Sequence, residues 1–209
     1  MLHIEHLVLN VGGHLLLEPG FDMRVEAGQT ACLQGESGCG KTSLLKACIG
    51  LVDVAQGSIV VDGLRMNAAT LTELRRRVAY LPQELALPAE TVKEMVEMPF
   101  ALAANEARRY ALKQLPDELE RLGLTADLLE RRTASLSGGQ RQRIMLCVAV
   151  LLGKQLLLLD EPTRALDPDA ARIVCEYISA YCRRTGAAAL MVSHDEDLVC
   201  DAHFTIGSA

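Results

Sequence analysis

Eight residues, Gly35-Glu36-Ser37-Gly38-Cys39-Gly40-Lys41-Thr42, have the types and spacing to hold a phosphate chain. Glycine, four free positions, Gly-Lys and a hydroxyl residue let backbone N–H groups converge on an anion. Lys41 adds a point charge, and Thr42 can ligate Mg²⁺. At ordinary glycine usage the four fixed positions arise by chance in roughly one chain per hundred. Thr30-Ala31-Cys32-Leu33 reads as a short buried strand entering the loop. Beyond it Leu44, Leu45, Cys48 and Ile49 recur at helical spacing, with Gly50 as the stop. The loop therefore opens a helix N-terminus, where the dipole favours phosphate. A nucleoside triphosphate is the expected ligand. Cys39 reads most simply as a small residue filling a free position, although Lys41 and the helix end could make its thiol reactive.

Two further groups bear on the same chemistry. Asp160 and Glu161 follow Leu156-Leu157-Leu158-Leu159, which reads as a central parallel strand. The C-terminal end of such a strand is where α/β sheets place ligands. One carboxylate there suits Mg²⁺, through water, and its neighbour can polarise an attacking water. Alone, the pair would read as a solvated loop start. Leu136-Ser137-Gly138-Gly139-Gln140 is a second glycine-rich turn, opening a helix striped with Ile144, Cys147, Val148 and Leu151. It offers N–H groups and a hydroxyl to an anion but no lysine, so by itself it could be only a helix cap. One ATP has a single γ-phosphate, and two cradles in one chain need a reason.

The elements that must position these residues follow from periodicity. Residues 3–9, 15–17 and 21–25 read as three strands separated by glycine turns, and Ser58 to Gly63 as a strand with a tight turn. Leu71 to Arg77 suits a short helix and Val78 to Leu81 a buried strand. From 84 to about 153 strand signals vanish, and helices are expected over Glu90 to Phe100, Asn105 to Leu115, Pro116 to Leu122 and Gly139 to Leu152. A helical block inserted into an α/β core is the simplest account. Asp167-Pro168 caps and starts a helix that closes near Gly186, and Ala187 to Val192 is the next buried strand. The expected division is a core from 1–83 and 154–209 with the helical block at about 84–153, all within a single domain of 209 residues.

Composition narrows the class. A formal charge of −6, 3% aromatics and no tryptophan argue against a nucleic-acid partner. Ile144 to Leu152, nine residues, is the longest apolar run, whereas a membrane-spanning helix needs about 20. No secretion signal is read at the start. Seven cysteines without metal-ligand spacing fit small reduced core residues. A cytoplasmic protein is expected, touching a membrane only through a partner.

Taken together, the motifs resemble the ATPase subunits of ABC transporters over essentially the whole chain. They are the Walker A stretch GESGCGKT, Gln83 in Tyr80-Leu81-Pro82-Gln83, the signature LSGGQ and the Walker B run LLLLDE. Pro162 to Asp167 is similar to the D-loop and Val192-Ser193-His194-Asp195 to the switch histidine. The resemblance implies a P-loop core with an antiparallel β subdomain and an inserted helical subdomain. It also accounts for two cradles, because in that family two subunits pack head to tail and the signature of one caps the γ-phosphate held by the other. Gly35, Glu36, Ser37, Gly38, Cys39, Gly40, Lys41, Thr42 and Ser43 would then bind ATP. Thr42, Gln83 and Asp160 would hold Mg²⁺, Glu161 would be the general base, and His194 would contact the γ-phosphate. Ser137, Gly138, Gly139 and Gln140 would act in trans, and Asp167 would tie the two sites together.

Partners implied by the resemblance are a second copy or a related ATPase subunit, and integral membrane permease subunits whose coupling helix docks beside Gln83. Leu85, Leu87, Val92, Met95, Val96 and Met98, rimmed by Glu84, Glu90, Glu94 and Glu97, form a candidate surface for that helix, with internal packing as the plain alternative. The runner-up function is a soluble ABC-type ATPase serving repair, translation or iron–sulfur assembly. Two departures from the family pattern stand out. No aromatic lies near residue 12 to stack adenine, where Gly12, Gly13 and His14 occur, and Arg164 stands where the D-loop usually has a small polar residue.

Overall fold

The computed structural model describes residues 1–84, 88–193 and 198–207, apart from the side chains of residues 18 and 19. Strands run in the order β1 (Leu2–Val11), β2 (His14–Val25), β3 (Thr30–Gly35), β4 (Asp53–Val61), β5 (Leu64–Arg65), β6 (Val78–Leu81), β7 (Leu156–Asp160), β8 (Ala188–Val192) and β9 (Ala202–Ile206). The helices are α1 (Lys41–Ala47), α2 (Leu71–Arg77), α3 (Val92–Ala101), α4 (Leu115–Arg121), α5 (Gly138–Leu151) and α6 (Pro168–Thr185). Among the described residues no helix is long and apolar enough to cross a membrane.

Strands β6-β7-β8-β3-β9, in that order, make a parallel sheet. Its middle is apolar on both faces because both are covered. Leu156, Leu157, Leu158 and Leu159 are all 0% exposed. Period-2 alternation sends Leu157 and Leu159 to one side, with Val96, Phe100, Ile144, Val148 and Ile178. Leu156 and Leu158 go to the other, with Leu44, Leu45, Leu74 and the inner faces of β1 and β4. The β2-β1-β4-β5 sheet is antiparallel and closes that second core. Both cores therefore share β7, and the residues at its C-terminal tip are fixed from two sides.

Several expectations are corrected. The runs at 15–17 and 21–25 are one strand, β2, which passes through Gly20 at φ 139. Its pairing with β1 shifts register on either side of Leu7, so the glycine marks an irregularity rather than a turn. β4 begins at Asp53, ahead of the expected Ser58, and β5 and β9 carried no expectation at all. Residues Glu106–Gln114 form a 3₁₀ helix rather than an α-helix. The segment that follows β6 holds α3, α4 and α5 with 3₁₀ turns, and the bridge Thr91–Arg132 is isolated. Val92, Met95 and Val96, expected at a docking surface, are at most 2% exposed and pack inward among the helices. Leu85 and Leu87 lie outside the described residues.

Candidate nucleotide site

The phosphate loop joins the tip of β3 to α1, as the strand–loop–helix pattern requires. Gly35 sits at φ 148, where a Cβ would stand 2.6 Å from the Ile206 carbonyl oxygen and 2.8 Å from Cys39 Sγ. Only a residue without a side chain lets β3, β9 and the loop approach so closely. Cys39 thus folds back over Gly35 and packs into the loop, which favours the space-filling reading of that thiol. α1 opens with Gly40 at φ 108 and no side-chain cap, so its first N–H groups have no side-chain acceptor. Lys41 is 6% exposed, and its ammonium donates at 2.8 Å to the carbonyl oxygens of both Gly35 and Glu36. Of its three N–H bonds one remains for a ligand, with Cys39 Sγ a distant 3.9 Å away.

Asp160 ends β7 and is 2% exposed. Thr42 Oγ1 donates to it, at 3.0 Å from Oδ2 and 3.2 Å from Oδ1. Burial holds the Asp160 carboxyl above its ordinary range; the Thr42 hydrogen bond opposes this, Glu161 adds to it, and Lys46 and Lys41 oppose it. Burial and the Asp160 charge together push the Tyr80 phenol up to about 12. Its hydroxyl is buried without a hydrogen-bond partner among the described residues. A hydroxyl that lines the cleft and a buried carboxylate 3.0 Å behind it, both hard oxygen donors, fit a Mg²⁺ that takes few protein ligands and completes its shell with phosphate and water. Accordingly, no group of three or more His, Cys, Asp or Glu that could cage a metal occurs among the described residues.

Glu161 follows at φ 50, a left-handed conformation that is unusual outside glycine and clusters at functional sites. Its N–H donates to the Val192 carbonyl at 3.0 Å, anchoring it to β8. Arg164 Nη1 lies 3.1 Å from Glu161 Oε2. The sequence showed Arg164 only as a departure from pattern; the i,i+3 spacing was the one signal of this pair. Ser37, Gly38, Gly40, Lys41, Thr42, Ser43, Gln83, Glu161 and Arg164 line one cleft of ≈ 1390 Å³, which extends along α6.

The second glycine turn lies elsewhere. Ser137, Gly138, Gly139 and Gln140 are all absent from the walls of that cleft. Ser137 caps α5 in a reciprocal box: its Oγ accepts from Gln140 N–H at 3.1 Å, and Gln140 Oε1 accepts from Ser137 N–H at 3.0 Å. The hydroxyl proton is thereby left to donate outward. Asp167 caps α6, accepting from Ala170 N–H at 2.9 Å. His194 lies outside the described residues.

A family model described as ABC transporter matches residues 19–164. The chain belongs to the ABC transporter family. This cassette is 34% identical over 197 residues to the methionine import ATP-binding protein MetN of Caulobacter vibrioides, covering 91% of the chain and 58% of that protein. It is likewise 34% identical over 203 residues to the zinc import ATP-binding protein ZnuC of Jannaschia sp., covering 97% of the chain and 76% of that protein. The cassette thus spans somewhat more than half the length of the methionine import relative. A dimeric bacterial ABC transporter cassette shares the fold, with TM-score 0.83, 21% identity, and 100% and 95% of the two chains covered.

Proposed function

We propose that this chain is the ATP-binding subunit of an ABC transporter, which dimerises around ATP and Mg²⁺ and hydrolyses ATP to drive partner membrane subunits. One observation carries the reading. Lys41, Thr42, Gln83 and Glu161 share a cleft, whereas the Ser137 turn of the same chain does not line it. A site that needs both must draw the turn from a second copy. Each subunit then supplies Gly35 to Ser43 for the phosphates it binds, and Ser137, Gly138, Gly139 and Gln140 for those bound by its partner. Asp167, the N-cap of α6, would tie the two sites together.

In this scheme Lys41 turns its remaining N–H toward the β- and γ-phosphate oxygens. Thr42, Asp160 and Gln83 would hold Mg²⁺, which supplies charge neutralisation when bound. Glu161 accepts a hydrogen bond from the attacking water and orients it, and His194 contacts the γ-phosphate. Phosphoryl transfer asks for little more than positioning and compensation of charge, and this set provides both. The cargo is set by the membrane partner: relatives named for methionine and for zinc import are equally similar to this cassette.

The test uses Glu161→Gln. Removing the base should slow hydrolysis by about 10²- to 10⁴-fold while leaving ATP binding intact, so that ATP with Mg²⁺ accumulates a dimer on size exclusion. A variant that stays monomeric with saturating ATP overturns the sandwich. Recovery of the tagged chain from membranes with a stoichiometric integral membrane subunit supports transport; a purely soluble partner refutes it.

A further inference from the structure

The carboxylate on which the proposed hydrolysis depends is already held by this chain. Arg164 Nη1 stands 3.1 Å from Glu161 Oε2, with the glutamate side chain 10% exposed and the arginine 64%. The turn between them is closed by Arg164 N–H donating to the Glu161 carbonyl at 3.3 Å and Leu166 N–H to the Thr163 carbonyl at 3.1 Å. Guanidinium and carboxylate both line the nucleotide cleft.

The next residues of that turn press on the start of α5. A Cβ on Gly139 would stand 2.9 Å from the Ala165 carbonyl oxygen and 2.8 Å from Leu166 Cδ2; one on Gly138 would stand 3.6 Å from Ala165 Cβ. Contacts this close leave no slack. The chain of touching groups therefore runs from the Ser137 turn through Ala165 and Leu166 to Arg164 and Glu161, linking the half-site this subunit lends to the half-site it keeps.

We infer that Arg164 is a positioning residue for Glu161, holding the carboxylate in the lone subunit and releasing it when that subunit's Ser137 turn seats on nucleotide bound by a partner. The inference rests on the head-to-tail reading proposed above. The guanidinium pulls Glu161 Oε2 toward Arg164 and offsets its negative charge, which fixes the carboxylate's direction and weakens that oxygen as an acceptor for water; once the arginine swings away, the same carboxylate can turn to orient the attacking water. Hydrolysis is thereby linked to engagement of both half-sites. Because the arginine is largely exposed, one such pair shifts an equilibrium by up to about fivefold. Two pairs open per dimer, so the effects multiply.

Sedimentation velocity with Mg²⁺ and a non-hydrolysable ATP analogue tests this in the parent, Arg164→Ser, Glu161→Gln and the double variant. Arg164→Ser should tighten dimerisation by more than about twofold and by up to about twenty-five-fold in the Glu161 background, and Arg164→Lys by less, because the cation is kept but its planar fork is lost. With Gln at 161 there is no charge to hold, and Arg164→Ser should change dimerisation by less than about twofold. Weaker or unchanged dimerisation of Arg164→Ser overturns the inference, as does an equal shift in both backgrounds. If the proteins dimerise but Arg164→Ser has the same effect with Glu or Gln at 161, the latch alone falls; if no variant dimerises, the sandwich falls and takes the latch with it.

Discussion

Asp160 shows how one residue's environment sets both its readiness for a cation and its cost to the fold. Burial raises its folded carboxyl pKa above the ordinary value of 3.8. The folded state therefore binds this proton more tightly than the unfolded state does. What Asp160 contributes to stability is complete below that ordinary value and is lost as pH rises through the folded one. Asp160→Asn, neutral and of the same shape, should melt above the parent at pH 7.5 in metal-free and nucleotide-free protein, with the gap narrowing toward pH 4. A gap independent of pH would show that the buried charge is not its cause. Adding ATP and Mg²⁺ should reverse the order, since the parent then gains a ligand that the variant holds poorly. At this scale the sequence was most informative where chemistry dictates residue types locally. Gly35 to Thr42 stood out by composition and spacing, whereas Asp160-Glu161 gained a reading only from the phosphate loop elsewhere in the chain. The Arg164–Glu161 pair did not, because i,i+3 spacing brings two side chains together only once a turn of known shape lies between them.

Among the elements, β7 was readable because four leucines in a row satisfy a strand covered on both faces. The 0% exposure of each agrees with the two cores it serves. β9 was not. Its partner residues in β3 lie about 170 positions earlier, as in the pairs Ala31 with Ala202 and Leu33 with Phe204. A five-residue edge strand takes its identity from such pairing more than from its own sequence. Gly20 misled for a related reason: glycine marks turns and strand irregularities alike, and only the cross-strand register separates them. The start of α5 gives this scale its prediction. Gly139→Ala places a methyl within 3 Å of the Ala165 carbonyl oxygen, a backbone atom that cannot rotate away. The D-loop turn or the helix start must shift by several tenths of an ångström. Isolated subunits should bind ATP as the parent does, because the P-loop is untouched, while ATP turnover falls by about tenfold or more. Unchanged turnover would mean that the packing of α5 on the 164–166 turn does not position the site.

Across the whole molecule the proposed function requires that one chain carry complementary halves on different surfaces, and this can be tested without a structure of the complex. Ser137→Arg should leave Lys41 and its loop intact but spoil the half lent to a partner. The lost cap should also cost α5 about 1 kcal/mol, so the variant must be checked for folding by its melting temperature. Lys41→Ala does the converse, keeping the Ser137 turn but giving up the charge that holds the phosphates. Each variant alone has no complete site in a head-to-tail pair and should show almost no ATP turnover. Mixed in equal amounts, random pairing makes about half of the dimers heterologous, and each of these has one site built from an intact loop and an intact turn. Activity should therefore return to roughly a quarter of the parent value if the two sites work independently, and should depend on the product of the two concentrations. Sites complete within one chain would show no recovery in the mixture, since each molecule would carry its own defect. The same experiment with Gly139→Ala in place of Ser137→Arg should recover less, because the added methyl also pushes on the Ala165–Leu166 turn that leads to Glu161 in the half the subunit keeps.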